Sequence, residues 1–368
     1  MMRVLHVYAG NLYGGVETML ATLARARDSV PEMETRFALA WDGRLAEELR
    51  AAGAPVAVLG AARLSRPWSV WAARRRFARV LREEKPDAAV FHSAWSHGIF
   101  APAARKGGVR VVFWLHDAVS GGAAEARARA VRPDLVVCTS DYVRGTLPAL
   151  FPGVGTEVIH PAVAAPAETA GDDRAVVRAE LETADDAVVI VQASRMEPWK
   201  GHRAHLEALA RVGDRPRWTC WMAGGARRPH EAKHLEEMKA LAERLGIGRR
   251  VRWLGERSDV PRLLAAAELL CQPNQHPEPF GITCVEAMYA GIPVVTTAMG
   301  GPLETVTPST GILVPPTDAG ALAGAIRTLM ADPDHRARLG AAGPARAAEL
   351  CDPAARLQQL HALLGEAA

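Results

Sequence analysis

The sequence lacks the patterns that mark disulfide-bonded, zinc-bound or membrane-spanning proteins. Its five cysteines are scattered, odd in number and form no Cys-x-x-Cys pair, so neither a disulfide framework nor a zinc site is indicated. No apolar run approaches the ~20 residues that span a bilayer. The first ten residues, MMRVLHVYAG, do not form a signal-peptide pattern. We therefore expect a soluble, cytoplasmic protein.

Lysine is also scarce. The chain contains only five lysines, so arginine supplies most of the positive charge. The formal net charge of +3 gives no reason to expect nucleic-acid binding. An apolar fraction of 49% is normal for a folded protein, so disorder is not expected. A length of 368 residues suits two domains of ~150–200 residues each.

Short β-branched runs alternate with amphipathic stretches in the first half of the chain. There we predict strands at 3–8, 36–41, 55–59, 87–92, 110–115, 134–138 and 156–159, and helices at 16–27, 67–84 and 122–131. Residues 160–173, HPAVAAPAETAGDD, are rich in proline, alanine and acidic groups, which predicts a linker.

The same alternation resumes after this linker. We predict strands at 187–193, 217–223, 251–254, 268–272 and 292–297, and helices at 202–212, 231–245, 282–290, 318–331, 333–348 and 353–366. Alternating buried strands and helices predict parallel sheets covered on both faces. Two such doubly wound α/β domains predict a ligand-binding cleft at the carboxyl ends of the strands.

Two glutamates, Glu278 and Glu286, flank a helix start within HPEPFGITCVEAMYAGIPVV. Glu278 precedes a proline and should lie in an extended loop, and Gly281 allows tight backbone geometry before a helix. The free amides at that helix start predict an anion site, with the two carboxylates available for hydroxyl groups. The alternative is structural, because Thr283-x-x-Glu286 also matches a capping box.

Two further stretches follow predicted strands directly. In ASRMEPWKGH, Arg195 and Lys200 could clamp a diphosphate, although both could instead be exposed loop charges. In AGNLYGGVETML, Gly14 and Gly15 could let the backbone approach a phosphate or sugar. A lone Gly-Gly is weak evidence, since the G-x-G-x-x-G fingerprint of a dinucleotide site is missing.

Taken together, these motifs resemble the retaining glycosyltransferases of family 4, which have the GT-B fold. EPFGITCVEAMYAGIPVV is similar to the family's EPFGxxxxEAMAxGxPVV segment, and Arg195-x4-Lys200 is similar to its R-x4-K element. GGVE at 14–17 resembles an N-terminal family element, and FWLHD at 113–117 makes His116 the matching histidine. The likeness covers nearly the whole chain.

The resemblance implies two Rossmann-like domains around a central cleft. It implies an N-terminal acceptor-side domain at 1–163, a donor-binding domain at 164–350, and a C-terminal helix at 351–368 that crosses back to the first domain. A nucleotide-sugar is then the expected donor. Family members are usually metal-independent, and we find no DxD-type motif, so neither a metal nor another cofactor is expected.

The resemblance also implies roles for individual residues. Arg195 and Lys200 would hold the diphosphate and stabilise the leaving group. Glu286 would accept the ribose hydroxyls, and Glu278 would bind the sugar. Backbone amides would bind the sugar at Phe280, Gly281 and Ile282, and the distal phosphate at Ile282 and Thr283. The base would lie near Gly255, with the backbone of Arg252 as a candidate contact.

The sequence departs from the family pattern on the acceptor side. Trp199 stands where Glu or Asp often precedes the lysine, and Val90 replaces the first histidine of the region that contains His92. By resemblance His116 would lie near the sugar, whereas a single histidine at a strand end is more often a core residue. An acceptor pocket at a strand end could include Ser93, Trp95 and His97, although packing is the plainer explanation.

An arginine-rich helix, WSVWAARRRFARVLREE, raises the question of membrane contact. We expect a solvated amphipathic helix whose two tryptophans face the sheet, so membrane contact is possible but not favoured.

The leading hypothesis is a hexosyltransferase that uses a UDP-sugar rather than a GDP-sugar. The alternatives are a nucleotide-sugar 2-epimerase and a non-catalytic nucleotide-sugar binding subunit. The acceptor could be a small molecule, a glycan or a lipid-linked sugar, and neither its identity nor the oligomeric state can be derived from the sequence.

Overall fold

The computed structural model describes residues 1–11, 14–166, 173–213 and 217–366, and the chain divides into two compact units. The first unit comprises Met1–Ala164 and Cys351–Ala368, and the second comprises Ala165–Leu350. Six of the fourteen residues of the predicted linker at 160–173, namely 167–172, lie outside the described residues. Residues 161–166 have no regular secondary structure.

A seven-stranded parallel sheet forms the centre of the first unit. Its strands are β1 (Met2–Tyr8), β2 (Met33–Leu39), β3 (Val56–Val58), β4 (Ala88–Phe91), β5 (Arg110–Leu115), β6 (Leu135–Cys138) and β7 (Thr156–Val158). They lie in the order β3-β2-β1-β4-β5-β6-β7. The helices are α1 (Gly15–Ala26), α2 (Arg44–Ala51), α3 (Pro67–Glu84), α4 (Ala94–Lys106), α5 (Ala123–Ala128) and α6 (Asp141–Thr146).

Alternate residues of these strands enter separate hydrophobic cores on the two faces of the sheet. Val90 packs in one core and its neighbour Phe91 in the other. All residues of β4 and β6 are buried, as expected for strands covered by helices on both sides.

The last helix of the chain, α15 (Pro353–Glu366), belongs to the first unit. Leu357, Leu360 and Leu364 follow the helical period and are buried in one of the two cores of that unit. The helix is also tied to the sheet, because Arg110 donates to the Leu364 carbonyl at 2.7 Å. The predicted return of the C-terminal helix to the first domain is therefore confirmed.

A six-stranded parallel sheet forms the centre of the second unit. Its strands are β8 (Val188–Ala193), β9 (Trp218–Ala223), β10 (Val251–Gly255), β11 (Leu269–Gln272), β12 (Val294–Thr297) and β13 (Gly311–Val314), in the order β10-β9-β8-β11-β12-β13. The helices are α7 (Asp173–Glu180), α8 (His202–Leu209), α9 (Pro229–Arg244), α10 (Val260–Ala265), α11 (Ile282–Tyr289), α12 (Pro302–Thr305), α13 (Ala319–Ala331) and α14 (Pro333–Cys351).

In each sheet the strand order reverses at a central pair, which is β1 and β4 in the first sheet and β8 and β11 in the second. The predicted architecture of two doubly wound α/β domains is therefore confirmed. Several elements were not predicted. The edge strand β13 is only four residues long and gives little periodic signal. Helix α4 is buried on most of its surface and contains Pro102, so its sequence lacks a clear polar face.

The two tryptophans of α3 do not face the sheet, so that prediction is wrong. The buried positions of α3 are Ser69, Ala73, Phe77 and Leu81, spaced four residues apart. Trp68 and Trp71 fall away from this stripe because each helical residue turns by about 100°. Their exposed fractions are 67% and 61%. Among the described residues, no helix is both long and apolar enough to cross a membrane.

Candidate functional site

The carboxyl edge of the second sheet brings two predicted motifs together. The Arg195–Lys200 loop follows β8, and the Glu278 loop follows β11, which is the neighbour of β8 in the sheet. Gly201 makes this close approach possible. Its φ of +78° is left-handed, and a Cβ atom there would lie 1.8 Å from the Pro273 carbonyl oxygen.

Lys200 and Glu278 form an ion pair at this edge. The Lys200 Nζ atom lies 2.5 Å from Glu278 Oε2, and the two side chains are only 13% and 19% exposed. Asn274 donates to the same carboxylate oxygen at 2.6 Å. The Lys200 ammonium also lies 3.9 Å from the centre of the Trp199 ring. An aromatic face and a carboxylate therefore hold this cation, and the Asn274 amide holds the carboxylate.

Two glutamine side chains from the neighbouring strands β8 and β11 support the loops that carry the ion pair. Gln192 donates to the Lys200 carbonyl at 2.8 Å, and its Oε1 atom lies 2.8 Å from His205 Nδ1. Gln272 donates to Asn274 Oδ1 at 2.8 Å. Because each group holds the next, this network restrains both loops.

Helix α11 begins at Ile282, directly after Gly281 with its left-handed φ of +96°. Gly281 is the N-cap, so Thr283 is the second residue of the helix and Glu286 the fifth. A capping box needs these residues at the N-cap and the third position, and no side-chain cap is formed. The capping-box alternative is therefore wrong.

The carboxylate of Glu286 has no hydrogen-bond partner within the part of the chain that the structure describes. Burial raises its pKa to about 7. The side chain is half-buried, and a carboxylate that no donor of the protein occupies is suited to a ligand that brings hydroxyl donors.

The start of α11 also carries free backbone donors. The first intrahelical bonds use the amides of Cys284 and Val285, which donate to the Gly281 carbonyl at 2.9 and 3.4 Å. The amides of Ile282 and Thr283 donate to no acceptor among the described residues. No acidic residue lies in the first turn. With the buried Phe280 beside them, these amides form a site suited to an anion.

Arg195 and Lys200 have separate partners in this structure. Arg195 Nη1 lies 3.0 Å from Glu197 Oε1, and its side chain is 55% exposed. Arg252 lies in the edge strand β10, and its side chain is occupied by carbonyl groups, including that of Leu181 at 3.1 Å. The side chain is therefore not available to a ligand, and the predicted base contact through the backbone of Arg252 stays a prediction. Gly255 ends the same strand and is exposed.

One group of side chains among the described residues is compact enough to hold a metal ion. Ligand atoms of Glu197, His230 and Glu231 lie within 4.8 Å of one another. The protein already supplies positive partners, because Arg195 and Arg228 lie 3.0 and 3.9 Å from Glu197 Oε1. Glu231 accepts the backbone amide of Arg228 at 3.0 Å. These guanidinium and amide contacts stabilise the acidic group without a metal ion.

His116 is the last of three stacked and hydrogen-bonded histidines in the first unit. His6 Nδ1 lies 2.8 Å from His92 Nε2, and His92 Nδ1 lies 3.0 Å from His116 Nε2. Successive ring centres are 5.1 and 5.3 Å apart. Burial lowers the pKa of His6 and His116 to about 3 and that of His92 well below its ordinary value. The three histidines are therefore uncharged at neutral pH. His116, which is partly exposed, is the outer end of the histidine chain.

Gly14 and Gly15 lie at the start of α1, which also follows a strand of the first sheet. Gly14 is the N-cap with an extended backbone, and the preceding residues 12–13 lie outside the described residues. The buried Glu17 lies in the first turn, and burial together with this nearby carboxylate raises the pKa of Tyr8. A carboxylate at this helix start disfavours a phosphate there, in contrast to α11.

The suggested acceptor residues lie at the start of α4, which follows the carboxyl end of β4 directly. Ser93 caps α4 by accepting the Ser96 amide at 3.1 Å. His97 is fully buried against aromatic rings, including Phe113 at 5.0 Å between ring centres. Trp95 packs on Trp41 at 5.3 Å. Packing explains His97 and Trp95, and helix capping explains Ser93.

Sequence reasoning missed several members of the site. Gln192, Gln272 and Asn274 support the ion pair, and His6 extends the histidine chain. One signal was available, since polar residues interrupt otherwise apolar strands in VVIVQA, LLCQ and VLHVY. A polar group inside a buried strand needs a partner, and that need points to a network.

Two protein families match the chain. Residues 173–346 match the family described as Glycosyl transferases group 1, and residues 13–165 match the family described as Glycosyltransferase Family 4. Together the two matches cover most of both units.

Two bacterial proteins illustrate the sequence similarity. A GDP-mannose-dependent monoacylated alpha-(1-6)-phosphatidylinositol monomannoside mannosyltransferase from Corynebacterium glutamicum is 27% identical over 294 residues, which are 73% of each chain. A D-inositol 3-phosphate glycosyltransferase from Streptomyces avermitilis is 34% identical over 215 residues. That match spans 56% of this chain and 44% of the relative, so the chain covers less than half of that protein's length.

Solved structures extend the similarity over the full chain. HepE from Anabaena in complex with UDP-glucose is 26% identical, with a TM-score of 0.86 and complete coverage of both chains. WaaG, a glycosyltransferase involved in lipopolysaccharide biosynthesis, is 17% identical, with a TM-score of 0.74 and 99% coverage of each chain. The second likeness concerns the fold alone.

Proposed function

Because the chain belongs to the group 1 and family 4 glycosyltransferases with the GT-B fold, we propose that it transfers a hexose from a nucleotide-diphosphate sugar to an acceptor. The second unit would bind the donor, and the first unit would contact the acceptor. One observation carries the proposal: the Lys200–Glu278 pair, the free amides of α11 and the unpartnered Glu286 share one sheet edge.

The donor diphosphate would bind between Lys200, Arg195 and the start of α11. The Ile282 and Thr283 amides would donate to the distal phosphate, and the helix dipole would favour its charge. As the bond to the sugar breaks, negative charge grows on the leaving diphosphate. Lys200 and Arg195 would stabilise that charge, which lowers the barrier to transfer.

The Lys200–Glu278 ion pair would open when the donor arrives. Phosphate oxygens compete for the Lys200 ammonium, which frees the Glu278 carboxylate to accept hydroxyl groups of the sugar. The amides of Phe280, Gly281 and Ile282 would hold other sugar oxygens. Asn274 would keep Glu278 in place throughout, because it donates to that carboxylate independently of Lys200.

Glu286 would accept the two hydroxyls of the ribose. An ionised carboxylate offers acceptors only, and the ribose diol offers two donors. Since these bonds favour the ionised form, donor binding should lower the pKa of Glu286 and release a proton near neutral pH. The base would lie beside Gly255 and meet the open backbone edge of Arg252 on β10.

His116 would orient a sugar or acceptor hydroxyl through Nδ1, since its Nε2 atom is used by His92. The transfer would retain the configuration of the sugar and need no metal ion. The protein itself supplies positive charge where the diphosphate would lie, from Lys200, Arg195 and a helix N-terminus.

We favour UDP over GDP as the nucleotide of the donor. HepE, similar over the whole of both chains, is described in complexes with UDP and with UDP-glucose. The Corynebacterium relative, whose name specifies GDP-mannose, matches a smaller share of the chain.

The first experiment is a calorimetric screen of the purified chain against UDP, GDP, ADP and their sugar conjugates, with a chelator present. We expect UDP and a UDP-hexose to bind. The bound UDP-hexose is then incubated with acceptor fractions, and the linkage in the product is read by NMR. A retained anomeric configuration agrees with the proposal, and an inverted one contradicts it.

The same samples distinguish the alternatives. Interconversion of the sugar without an acceptor would indicate an epimerase. Tight donor binding without turnover on any acceptor would indicate a binding subunit. If no nucleotide binds, the donor site described above is wrong.

A further inference from the structure

Positive charge without any negative charge is concentrated in one stretch of the first unit. Residues 49–82 contain eight arginines and no aspartate or glutamate, although the whole chain carries a net charge of only +3. The stretch includes β3, the loop after it and most of α3. Such a cluster attracts an anionic surface.

Large apolar side chains are exposed in the same stretch. The described residues include seven exposed large hydrophobic side chains, and four of them lie between 58 and 71: Val58, Leu64, Trp68 and Trp71. Trp68 and Trp71 are three residues apart on α3 and share a side of the helix opposite its buried stripe. Exposed indole rings side by side indicate a surface that is covered in use.

Several arginines around these rings have no carboxylate partner within the described part of the chain. Arg63 and Arg66 are exposed and form no ion pair, and Arg75 is exposed and lies over the Trp71 ring at 4.8 Å. By contrast, Arg74 donates to the Ile99 carbonyl, and Arg79 is paired with Glu83. We call the surface formed by Arg63, Leu64, Arg66, Trp68, Trp71 and Arg75 the Trp–Arg face.

The Trp–Arg face lies at the functional edge of its sheet. The loop at 59–66 follows the carboxyl end of β3 and leads into the start of α3. His116 follows the carboxyl end of β5 in the same parallel sheet, so both features lie on the same edge. A surface docked on the Trp–Arg face would therefore face the side of the first unit proposed to contact the acceptor.

We infer that the Trp–Arg face docks on an anionic membrane surface. Indole rings favour the headgroup level of a bilayer, where one part of the ring is apolar and another is wet. Guanidinium groups beside them meet lipid phosphates. A nucleic-acid backbone would satisfy the arginines but leave Leu64 and the two indole rings exposed to water.

The chemistry of the face also narrows the acceptor class. A glycosyltransferase that docks through this edge is placed to use an acceptor anchored in a lipid layer. This part of the inference rests on the proposed function, whereas the docking itself does not, because vesicle binding is measured without nucleotide or acceptor.

The test is co-sedimentation of the full chain with vesicles of phosphatidylcholine alone and of phosphatidylcholine mixed equally with phosphatidylserine. We expect binding to the anionic vesicles, weakened by added salt, and little binding to the neutral ones. Two variants of the face should each weaken binding by about tenfold or more. They are the double variant Trp68→Ala/Trp71→Ala and the triple variant Arg63→Gln/Arg66→Gln/Arg75→Gln. The arginine triple variant should also lose most of the salt dependence.

A charge-matched control separates local docking from general attraction. Arg25→Gln/Arg105→Gln/Arg144→Gln removes three exposed arginines of the same unit that are already paired with carboxylates. It should change vesicle binding by less than about twofold. Circular dichroism of each variant checks that the fold is retained.

Three outcomes would overturn the inference. The first is vesicle binding that neither set of face substitutions changes. The second is absence of vesicle binding together with a dimer that Trp68→Ala/Trp71→Ala dissociates, which would assign the face to a second copy of the chain. The third is binding to heparin or duplex DNA but not to anionic vesicles, which would assign it to a polyanion.

Discussion

The first six strands of each sheet lie in the same order, yet the side chains at the two carboxyl edges differ in charge. The carboxyl edge of the second sheet carries the Lys200–Glu278 ion pair and Glu286, a carboxylate without a hydrogen-bond donor among the described residues. The first ends in His92 and His116, two members of a neutral, stacked histidine chain. The same fold therefore supports an ion pair at the edge of one sheet and a neutral histidine chain at the edge of the other.

The difference suggests a division of labour between the units. A nucleotide diphosphate carries negative charge and needs cations and free amides, which the second edge provides. Sugar and acceptor hydroxyls are neutral and need directional hydrogen bonds, which a neutral histidine provides without a strong field. Each edge matches the chemistry proposed for its ligand.

The largest effect that sharpens this comparison is acid sensitivity of the histidine edge. His6 and His92 have folded pKa values far below 6.5, so the unfolded chain binds protons that the native chain does not. Their stabilising contribution is present above pH 6.5 and is lost as pH falls toward the folded values, by ~1.4 kcal/mol per pH unit for each ring. Urea unfolding across this range should show a loss of several kcal/mol.

The variant His92→Gln isolates the histidine contribution. Glutamine keeps a donor and an acceptor but cannot titrate, so the slope of stability against pH should fall by about one proton, or ~1.4 kcal/mol per pH unit. His230→Gln, at an exposed position of the second unit, is the composition-matched control. Equal slopes for wild type and His92→Gln would contradict a buried, neutral chain.

The next largest effect tests the charged edge. Lys200→Ala should reduce transfer by about 10²–10³-fold, because it removes a cation aimed at the charge that develops on the leaving group. It should also weaken UDP binding in calorimetry. Lys233→Ala removes a lysine of the same unit that is 81% exposed, and should leave both values unchanged. Normal turnover in Lys200→Ala would remove Lys200 from the site.

A third effect concerns Glu286, whose folded pKa of about 7 lies above the ordinary 4.5. The native state holds this proton more tightly than the unfolded state, so stability falls as pH rises from 4.5 to about 7. Glu286→Gln removes that penalty and should stabilise the protein by ~3 kcal/mol above pH 7 but not below pH 4.5. The same variant should bind UDP more weakly, since an amide is a poorer acceptor for the ribose diol.

Glu278→Gln provides the opposing case for this measurement. Its carboxylate is held by Lys200 and Asn274, so its loss should destabilise the protein at neutral pH. If Glu286→Gln also destabilises at all pH values, Glu286 has a structural partner, and the open-acceptor assignment fails.

The charged edge was largely accessible from the sequence, whereas the histidine edge was not. Lys200, Glu278 and Glu286 belong to contiguous motifs whose local geometry follows from Pro279 and Gly281. The histidine chain joins residues 6, 92 and 116, which meet only because β1, β4 and β5 are adjacent in the sheet. Strand order is a property of the whole fold, and no local pattern in the sequence specifies it.

The same distinction explains the errors in the fold. Strands and long helices were predicted because burial imposes a period on their sequences. The face presented by α3 was wrong, because large apolar residues were assumed to be buried, whereas the stripe through Ala73, Phe77 and Leu81 already fills the contact with the sheet. Trp68 and Trp71 are then left outside, and only the packed structure shows this.

The smallest effect compares the aromatic neighbours of the two edges. Trp114 stacks on the neutral His116 at 5.6 Å between ring centres, whereas the Trp199 ring lies 3.9 Å from the charged Lys200 ammonium. A ring face attracts a cation by ~0.5–2 kcal/mol. Trp199→Leu should therefore leave the ion pair intact but loosen Lys200, weakening UDP binding by about threefold to tenfold. Trp199→Phe, which keeps a ring face, should recover most of the affinity. If leucine binds UDP as well as tryptophan does, contact with the ring does not help to hold the cation, and Glu278 and Asn274 suffice to place Lys200.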